Sequence, residues 1–510
     1  MSIETNKASH VDISGRRLAR NTLLNFAGRV VPLLVAIVTV PYVIRHLGPD
    51  RYGLYSLAWI VVGYFALFNL GIGPATTKFV AELLGKGEIA KLPELVWTAA
   101  ASQTGLGLLG GVLLAALSPF LVHHVLKIPL ELHKQAYVIF LIMAALLPID
   151  FASGSMQGVL GASQRFDLLN LVGIPASILS YLLPVVALAM GFGLPSIVLV
   201  LALARLATLG MVTILCFRLY PALWRAHFDF RLVRALLGFG GWVTVSGVVG
   251  PILVYLDRFL IGAIISVAAV GFYTPPYILA TKLSIIPGSL MTTLFPAFST
   301  SAGNGDIDWI RKTLIRSLKF IILILGPVAL LFAFFARPLL ILWLGVKFAN
   351  EGAIVAQIMA LAVFFNSLAQ VPYNLLYALG RPDLPAKFHL AELPMHIALA
   401  WYLLVHFGLA GVAWACAIRV TLDFVLLLAT ACWVTRMSVR MLAGRDLMYS
   451  AAILAALAAG LSILAISAHF LLADAVLIML LSGAFLIAIW FFVLDLEDKW
   501  QIRLLLKLAR

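Results

Sequence analysis

Five basic residues lie inside long apolar runs of this sequence, where a charged side chain is costly. They are Arg29, Arg205, Arg258, Lys282 and Arg419. A charge at the centre of a membrane-spanning helix costs at least about 2.5 kcal/mol, so these residues are expected to face the protein interior. There a cation can bind an anionic ligand, pair with an acid, or donate to helix carbonyl groups. Because they lie deep in their runs, Arg29 and Lys282 are the leading candidates for binding an anion.

Arg45 and Arg258 are two further candidates for ligand contact, and they lie nearer the ends of their runs. Asp257 precedes Arg258, but adjacent helical positions diverge by about 100°, so this acid need not pair with it. A role in ligand release and a structural role are both open for the two arginines. Arg419 is expected to form a structural ion pair instead, with Asp423 at position i+4 as its partner.

Acidic and histidine side chains within apolar runs could carry protons. His389, Glu392 and His396 follow an i, i+3, i+7 spacing and therefore share one helix face. Two histidines two turns apart are separated by about 10 Å, which is too far to bind one tetrahedral metal ion. Proton coupling and the lining of a cavity or interface remain open for this face. Asp150 is a lone intramembrane acid with the same two interpretations, and we predict no metal site.

The composition indicates which elements must position these residues. Of the 510 residues, 63% are hydrophobic and only 11% are charged, and the mean hydropathy is +1.06. This excludes an ordinary soluble enzyme, in which about 25% of residues are charged, and it indicates an all-α multipass membrane protein. A transmembrane helix needs about 20 apolar residues, and charged and turn-forming residues separate the apolar runs of this sequence. Together they predict about fourteen transmembrane helices. Spans expected from this reading include 53–77 (the second), 268–298 (the eighth), 385–406 (the eleventh) and 409–434 (the twelfth).

The distribution of basic residues predicts how the spans are oriented. With the N-terminus inside, 25 of the 36 Lys and Arg residues fall in inner segments and six in outer loops. Such an excess marks the cytoplasmic side, so we predict an even number of spans with both termini in the cytoplasm. The net charge of +14 is then explained by topology and by attraction to anionic lipids, and no nucleic-acid partner is expected.

An internal repeat divides the chain into two lobes. Residues 42–45 (YVIR) recur as 255–258 (YLDR) at an offset of 213, and residues 192–194 (FGL) recur at an offset of 215. Six spans are an even number, so both copies cross the membrane in the same direction and form a parallel repeat. We predict four parts: an N-lobe at 1–217, a cytoplasmic interfacial linker at 218–234, a C-lobe at 235–434, and an extra helix pair with an amphipathic tail at 435–510.

Several short stretches resemble one family of membrane proteins. They are 47–48 (LG), 52–55 (YGLY), 69–73 (NLGIG), 256–262 (LDRFLIG) and 271–273 (GFY). Together they are similar to the bacterial polysaccharide flippases, the O-antigen-type exporters of lipid-linked oligosaccharides. These belong to the multidrug, oligosaccharidyl-lipid and polysaccharide exporter superfamily. The resemblance covers the first twelve spans, and the first, second, seventh and eighth carry most of it.

The resemblance implies a transporter of the inner membrane rather than an enzyme. It implies two six-helix lobes, an added helix pair, and transfer of undecaprenyl diphosphate-linked oligosaccharide to the outer leaflet by alternating access. A polar, cationic central cavity would solvate the sugar hydroxyls and the diphosphate, which hydrocarbon cannot do. Arg29 and Lys282 are then the expected diphosphate ligands. No cofactor is expected, and the expected partners are the lipid-linked substrate, membrane lipids and other polysaccharide-assembly proteins.

Two other functions remain candidates. A multidrug antiporter of the same superfamily would bind organic cations, which require an acidic or aromatic cavity, whereas the candidate residues here are mainly basic. An enzyme of the same pathway, such as a polymerase or ligase, would need catalytic groups on the outer face. Several of the predicted outer loops hold only a few residues and no set of carboxylate and histidine side chains.

Overall fold

The computed structural model describes residues 15–65, 72–163, 165–303, 305–442, 444–467, 472–494 and 499 of the chain. Within these ranges the backbone forms α-helices, short 3-10 or π-helical segments and turns, and no strand. The prediction of an all-α fold is therefore confirmed. In chain order the helices are α1 (Gly15–Phe65), α2 (Ile72–Gly85), α3 (Leu92–Phe120), α4 (His133–Ala162), α5 (Phe166–Ala189), α6 (Leu194–Leu219), α7 (Phe230–Ile264), α8 (Val267–Thr281), α9 (Ile285–Gly303), α10 (Ile307–Leu344), α11 (Val346–Ala378), α12 (Asp383–Val434), α13 (Val439–Leu442), α14 (Arg445–Ser467) and α15 (Leu472–Phe492).

Two of these helices change direction at a glycine with positive φ. Gly48 in α1 has φ 73° and ψ 169°, and Gly408 in α12 has φ 60° and ψ −141°. Glycine tolerates such angles because it has no Cβ. Gly48 lies between the first and second predicted spans, and Gly408 lies between the eleventh and twelfth. Each long helix therefore contains two predicted spans that meet without a loop.

The predicted eighth span at 268–298 contains a change of helix geometry. The α8 helix ends at Thr281, a 3-10 turn follows at Lys282–Ser284, and α9 begins at Ile285. Pro287 explains the interruption, because its ring has no N–H to donate to the carbonyl of Leu283 and clashes with it in a regular α-helix. For the second predicted span, α1 ends at Phe65 and α2 begins at Ile72, and residues 66–71 lie outside the described part of the chain.

Nine helical segments among the described residues are long and apolar enough to span a membrane. This number is lower than the predicted fourteen partly because α1 and α12 are counted once each. The α8 helix, at 15 residues, is too short to be counted by itself. The chain is therefore a multispan membrane protein, and the total of about fourteen spans stays a prediction.

The chain divides into two compact units, Met1–Val248 and Val249–Arg510, with the division inside α7. Unit 1 contains α1 to α6, and unit 2 contains α8 to α15. The residue boundaries proposed for the N-lobe, linker, C-lobe and tail stay predictions.

Within unit 1, α3 and α4 pack with their backbones nearly in contact. A Cβ built on Gly107 would lie 2.5 Å from Pro148 Cα, and one built on Gly111 would lie 2.5 Å from the carbonyl oxygen of Ala144. Two small residues four positions apart let membrane helices approach this closely. The two glycines therefore determine how α4, which carries Asp150, is seated against α3.

We expect Gly111→Ala to destabilise the protein by about 1–3 kcal/mol, because the new methyl group would overlap a backbone carbonyl that cannot move freely. Gly105→Ala is the matched control on the same helix, since a Cβ there meets no atom within 4 Å. Thermal unfolding of the purified variants should give a lower midpoint for Gly111→Ala and an unchanged or higher one for Gly105→Ala. Equal midpoints would show that the close approach does not contribute to stability.

In unit 2 the helix pair α14 and α15 packs against α10. Leu323 of α10 shares an apolar core with Leu457 of α14 and Phe485 of α15. Lys319 Nζ of α10 lies 3.4 Å from Asp446 Oδ2 at the start of α14, and the lysine side chain is only 2% exposed. The predicted extra helix pair is therefore attached to unit 2 by apolar packing and by one partly buried ion pair.

Candidate functional site

Unit 2 contains a group of ionisable side chains buried among its helices. Two of them come from α7 and five from α12. Six are almost fully buried, with exposures from 0% for His396 to 9% for Arg419, and the His389 side chain is 19% exposed. We call these seven residues the ionic cluster: Asp257, Arg258, His389, Glu392, His396, Arg419 and Asp423.

The bend at Gly408 brings residues that are distant along the chain into this cluster. Glu392 and Arg419 are 27 positions apart, which corresponds to about 40 Å along a straight helix. Their side chains nevertheless lie 3.6 Å apart, from Arg419 Nη1 to Glu392 Oε2. The two segments of α12 must therefore fold back on each other, and the positive φ of Gly408 permits this.

Three ion pairs link the members of the ionic cluster. His396 Nε2 lies 3.3 Å from Asp257 Oδ1, and His389 Nε2 lies 3.6 Å from Asp423 Oδ1. Arg419 forms the third pair, with Glu392. The expectation that Arg419 would pair with Asp423 at i+4 is therefore wrong. The reason is that the fold-back of α12 offers each charge an opposite charge from the other segment.

Two tyrosines of α8 complete the surroundings of Asp257 and Arg258. The hydroxyl of Tyr273 donates to Asp257 Oδ2 at 3.1 Å. The Arg258 guanidinium lies 4.3 Å from the centre of the Tyr277 ring, and its Nη2 donates to the Val254 carbonyl at 2.7 Å. The adjacent pair thus diverges as expected, with the acid and the base bound to different partners.

Many polar atoms of the ionic cluster are buried without a hydrogen-bond partner. They include Asp257 Oδ1, Arg258 Nε, both carboxylate oxygens of Glu392, both ring nitrogens of His396, Arg419 Nε and Asp423 Oδ1. The ion pairs are therefore close enough for electrostatic attraction but lack hydrogen-bond geometry. A buried group without a hydrogen bond costs about 1–3 kcal/mol. A change in protonation or conformation can satisfy such groups, which makes the cluster a candidate for coupling.

The ionic cluster combines three carboxylates, two arginines and two histidines. His389 and His396 contact different acids, Asp423 and Asp257 respectively. Within the described ranges, no group of three or more His, Cys, Asp or Glu residues is arranged to hold a metal ion.

The four candidate cations occupy different surroundings. Arg29 lies in α1, and its side chain is outside the described part of the structure. Lys282 is half-buried at the start of the 3-10 turn between α8 and α9, while Arg45 is exposed three residues before Gly48. Arg258 is buried in the ionic cluster. Substrate contact stays a prediction for each of the four.

Asp150 is not the lone acid expected from the sequence. Arg205 Nη1 on α6 donates to Asp150 Oδ1 on α4 at 3.1 Å. The guanidinium also lies 5.2 Å from the centre of the Trp59 ring. A sequence cannot reveal this pair, because the two residues are 55 positions apart and only the packing of α4 on α6 brings them together.

Residues that the sequence interpretation left outside the site can now be placed. Tyr273 belongs to the 271–273 (GFY) stretch, which carries part of the family resemblance, and its hydroxyl donates a hydrogen bond to Asp257. In the sequence, Asp257 and Asp423 stand out only as neighbours of arginines. The signal that could have found them is that each is an acid deep in an apolar run, as Asp150 is.

Two relatives cover most of the chain. A putative O-antigen transporter of Shigella flexneri is 27% identical over 423 residues, which are 80% of this chain and 96% of that protein. A probable flippase of Haloferax volcanii, AglR, is 22% identical over 419 residues, which are 80% of this chain and 82% of that protein.

Solved transporter structures share the fold. The lipid II flippase MurJ in an inward closed conformation matches with a TM-score of 0.70 at 14% identity, over 92% of this chain and 98% of that chain. An inward-facing multidrug resistance MATE family transporter of the MOP superfamily matches with a TM-score of 0.67 at 14% identity, over 82% of this chain and 94% of that chain. The chain therefore shares its helical fold with these two transporters.

The family assignment rests on more than half of the chain. Residues 18–302 match the family described as polysaccharide biosynthesis protein. This range contains α7, α8 and all of α1 except its first three residues, and these are helices whose sequences carry the resemblance. The chain belongs to this polysaccharide biosynthesis protein family.

Proposed function

We propose that this chain is a flippase that transfers undecaprenyl diphosphate-linked oligosaccharide units from the cytoplasmic to the outer leaflet of the inner membrane. The observation that carries the proposal is the match to the putative O-antigen transporter along 96% of that protein's length. The matches to a probable flippase and to the fold of a lipid II flippase support it. Transport proceeds by alternating access and supplies units for surface polysaccharide synthesis.

The chemistry of the substrate gives the intramembrane cations their role. A diphosphate carries negative charge that hydrocarbon cannot solvate, and the sugar hydroxyls need hydrogen-bond partners throughout the transfer. Arg29 and Lys282 neutralise the diphosphate in this proposal, because charged contacts to phosphate oxygens are stronger than neutral hydrogen bonds. Arg45 and Arg258 are secondary candidates for the same contact.

A test in cells follows directly. Cells that lack this chain should lose surface polysaccharide and retain their lipid-linked oligosaccharide on the cytoplasmic leaflet, where an impermeant lectin reaches it only in inverted membrane vesicles. Expression of the chain from a plasmid should move the lectin-binding sites to the outer leaflet. Unchanged surface polysaccharide in the deletion strain would contradict the proposal.

The proposed topology places both termini in the cytoplasm. Single cysteines at Lys127 and Lys347 should react with an impermeant thiol reagent added to intact cells, whereas cysteines at Lys86 and Lys312 should not. All four lysines are exposed, and the three native cysteines that must first be replaced are buried and free. Labelling of all four positions from one side would rule out this arrangement of spans.

The energetics of transfer should depend on membrane potential. An anionic headgroup that moves outward from a negative interior gains about 2.3 kcal/mol per charge for each 100 mV. In liposomes without a pH or sodium gradient, a negative-inside potential should accelerate outward transfer of a charged lipid-linked sugar. If transfer ignores the potential and follows a proton gradient, coupling is electroneutral. The candidate coupling residues are then His389, Glu392 and His396 of the ionic cluster, together with Asp150.

A multidrug antiporter is the second candidate, and the fold shared with a MATE family transporter favours it. Such a protein would extrude organic cations such as ethidium from cells. Cells that overexpress this chain should show unchanged ethidium extrusion if the flippase proposal holds. Increased extrusion that requires the chain would favour the antiporter.

A further inference from the structure

Unit 1 contains a half-open cavity whose wall does not include the four candidate cations Arg29, Arg45, Arg258 and Lys282. Its volume is about 630 Å³, within the range of small-molecule binding sites. The walls come from the second segment of α1 and from α4, α5 and α6. Tyr55 and Trp59 of α1 and Tyr181 of α5 contribute three aromatic rings.

The rest of the wall is rich in hydroxyl groups. Ser180 donates to the Ser177 carbonyl at 2.7 Å, and Thr208 donates to the Ala204 carbonyl at 2.8 Å. On α4, Gln157 Nε2 donates to Ser153 Oγ at 2.9 Å. Each of the first two hydroxyl protons is thus held by its own helix, and the oxygen keeps lone pairs that can accept from a ligand. Acyl chains offer no donors to these oxygens, so the cavity is suited to a polar occupant.

The charged residues of the cavity wall give no net charge that would attract an ion. Asp150 and Arg205 lie 3.1 Å apart and neutralise each other. An anion or a cation would have to compete with this ion pair, whereas an uncharged ligand would not. The Arg205 side chain is still 49% exposed, so guanidinium N–H groups that do not contact Asp150 can donate to a neutral oxygen.

We infer that this cavity is a binding site for an uncharged sugar ring of the oligosaccharide, separate from the cations that neutralise the diphosphate. A pyranose has an apolar C–H face that can stack on Trp59 or Tyr181. It also has a rim of hydroxyls that can donate to Asp150, Ser177 and Ser180 and accept from Arg205. Both halves of such a ligand therefore match the wall. The inference rests on the proposed flippase function, because it assigns the glycan part of that substrate to unit 1.

A pair of glycines offers a matched test. Gly173 lines the cavity, and a Cβ built there meets no atom within 4 Å, so Gly173→Leu adds a side chain at the cavity wall from an unobstructed Cβ position. Gly210 on α6 is equally open but does not line the cavity, so Gly210→Leu is the control. Both changes replace a helical glycine with a better helix former, and neither should impair folding.

The probe is the free glycan released by mild acid from the host cell's own lipid-linked units, which removes both the lipid and the diphosphate. We expect saturable binding to the full-length protein in nanodiscs, measured by saturation-transfer NMR. Gly173→Leu should raise the dissociation constant by about tenfold or more, a loss comparable with one or two hydrogen bonds to a charged group. Gly210→Leu should leave it unchanged, and inorganic pyrophosphate should not compete.

A second comparison tests the aromatic contact. Trp59→Leu should weaken saturation transfer to the sugar C–H protons, whereas Trp401→Leu, at an exposed tryptophan of α12, should not. The inference is overturned if the wild type does not bind the free glycan, if Gly173→Leu binds as well as the wild type, or if pyrophosphate displaces the glycan. Leaflet transfer of the intact lipid-linked unit by the same wild-type preparation would still support the flippase. Absence of that transfer would refute the flippase proposal itself.

Discussion

Arg419→Ala is expected to destabilise the protein by about 3–5 kcal/mol, because it leaves Glu392 as an uncompensated buried charge. The Glu392 side chain is 2% exposed and lies 3.6 Å from the guanidinium, so water cannot replace the lost partner. The remaining cluster would hold three carboxylates and only one arginine. Arg419→Lys keeps the charge but loses the planar fork, so a smaller loss is expected. Thermal unfolding of purified variants in nanodiscs measures the difference.

The matched control is Arg205→Ala, which removes the arginine from the ion pair between α6 and α4. Asp150 is 22% exposed whereas Glu392 is 2% exposed, so the loss should be smaller than for Arg419→Ala. A similar drop in unfolding midpoint for Arg205→Ala and Arg419→Ala would show that burial does not distinguish the two pairs. Removing a charge from the ionic cluster would then cost no more unfolding free energy than removing one from the less buried pair.

Lys282→Ala and Arg29→Ala are each expected to abolish export of surface polysaccharide while the protein remains inserted at normal levels. Each change would remove one of the two cations that neutralise the diphosphate in the proposed mechanism. Lys282→Arg should retain part of the export activity, because arginine keeps the positive charge that neutralises the diphosphate. Surface polysaccharide and the amount of protein in the membrane would be measured in the same cells.

Lys347→Ala is the control for the lysine, since Lys347 is exposed and lies at the start of α11. It should export normally. Normal export by both Lys282→Ala and Arg29→Ala would remove the diphosphate assignment. An equal loss of export in Lys347→Ala would show that replacing an exposed lysine has the same effect. Position within an apolar run would then not distinguish the lysine that binds the diphosphate.

Much of the fold could be predicted because membrane helices are long and apolar. Charges and turns bound the third and fifth spans and predict them at 92–118 and 167–190, close to α3 (Leu92–Phe120) and α5 (Phe166–Ala189). Hydropathy does not show where the backbone geometry changes within an apolar run. The 3-10 turn at Lys282–Ser284 lies within an apolar run, and only Pro287 in the sequence indicates it.

The candidate site was predictable in part. Spacing along one helix placed His389, Glu392 and His396 on a common face, and the structure puts all three in the ionic cluster. Their partners could not be inferred, because the fold-back at Gly408 pairs residues that are 27 or more positions apart. The i+4 rule suggested Asp423 for Arg419, but it considers one straight helix only. The same limit hid the contact between Asp150 and Arg205, which depends on two helices packing together.

The cavity of unit 1 illustrates a third limit. Trp59, Ser180 and Thr208 are unremarkable in the sequence, because aromatic and hydroxyl residues are common in membrane helices. They become candidates for ligand contact only because all three line one cavity of about 630 Å³. Only three-dimensional packing defines that space, and a single sequence without its fold cannot define it.

The most direct measurement of the central claim is leaflet transfer by the purified protein. Liposomes that contain the chain and a fluorescent undecaprenyl diphosphate-linked oligosaccharide are treated with an impermeant quencher, and protein-free liposomes serve as the control. We expect the chain to make the inner-leaflet lipid accessible to the quencher, and a Lys282→Ala variant to do so far more slowly. Transfer no faster than in protein-free liposomes, under an imposed potential and under a proton gradient alike, would contradict the assignment of this chain as a flippase.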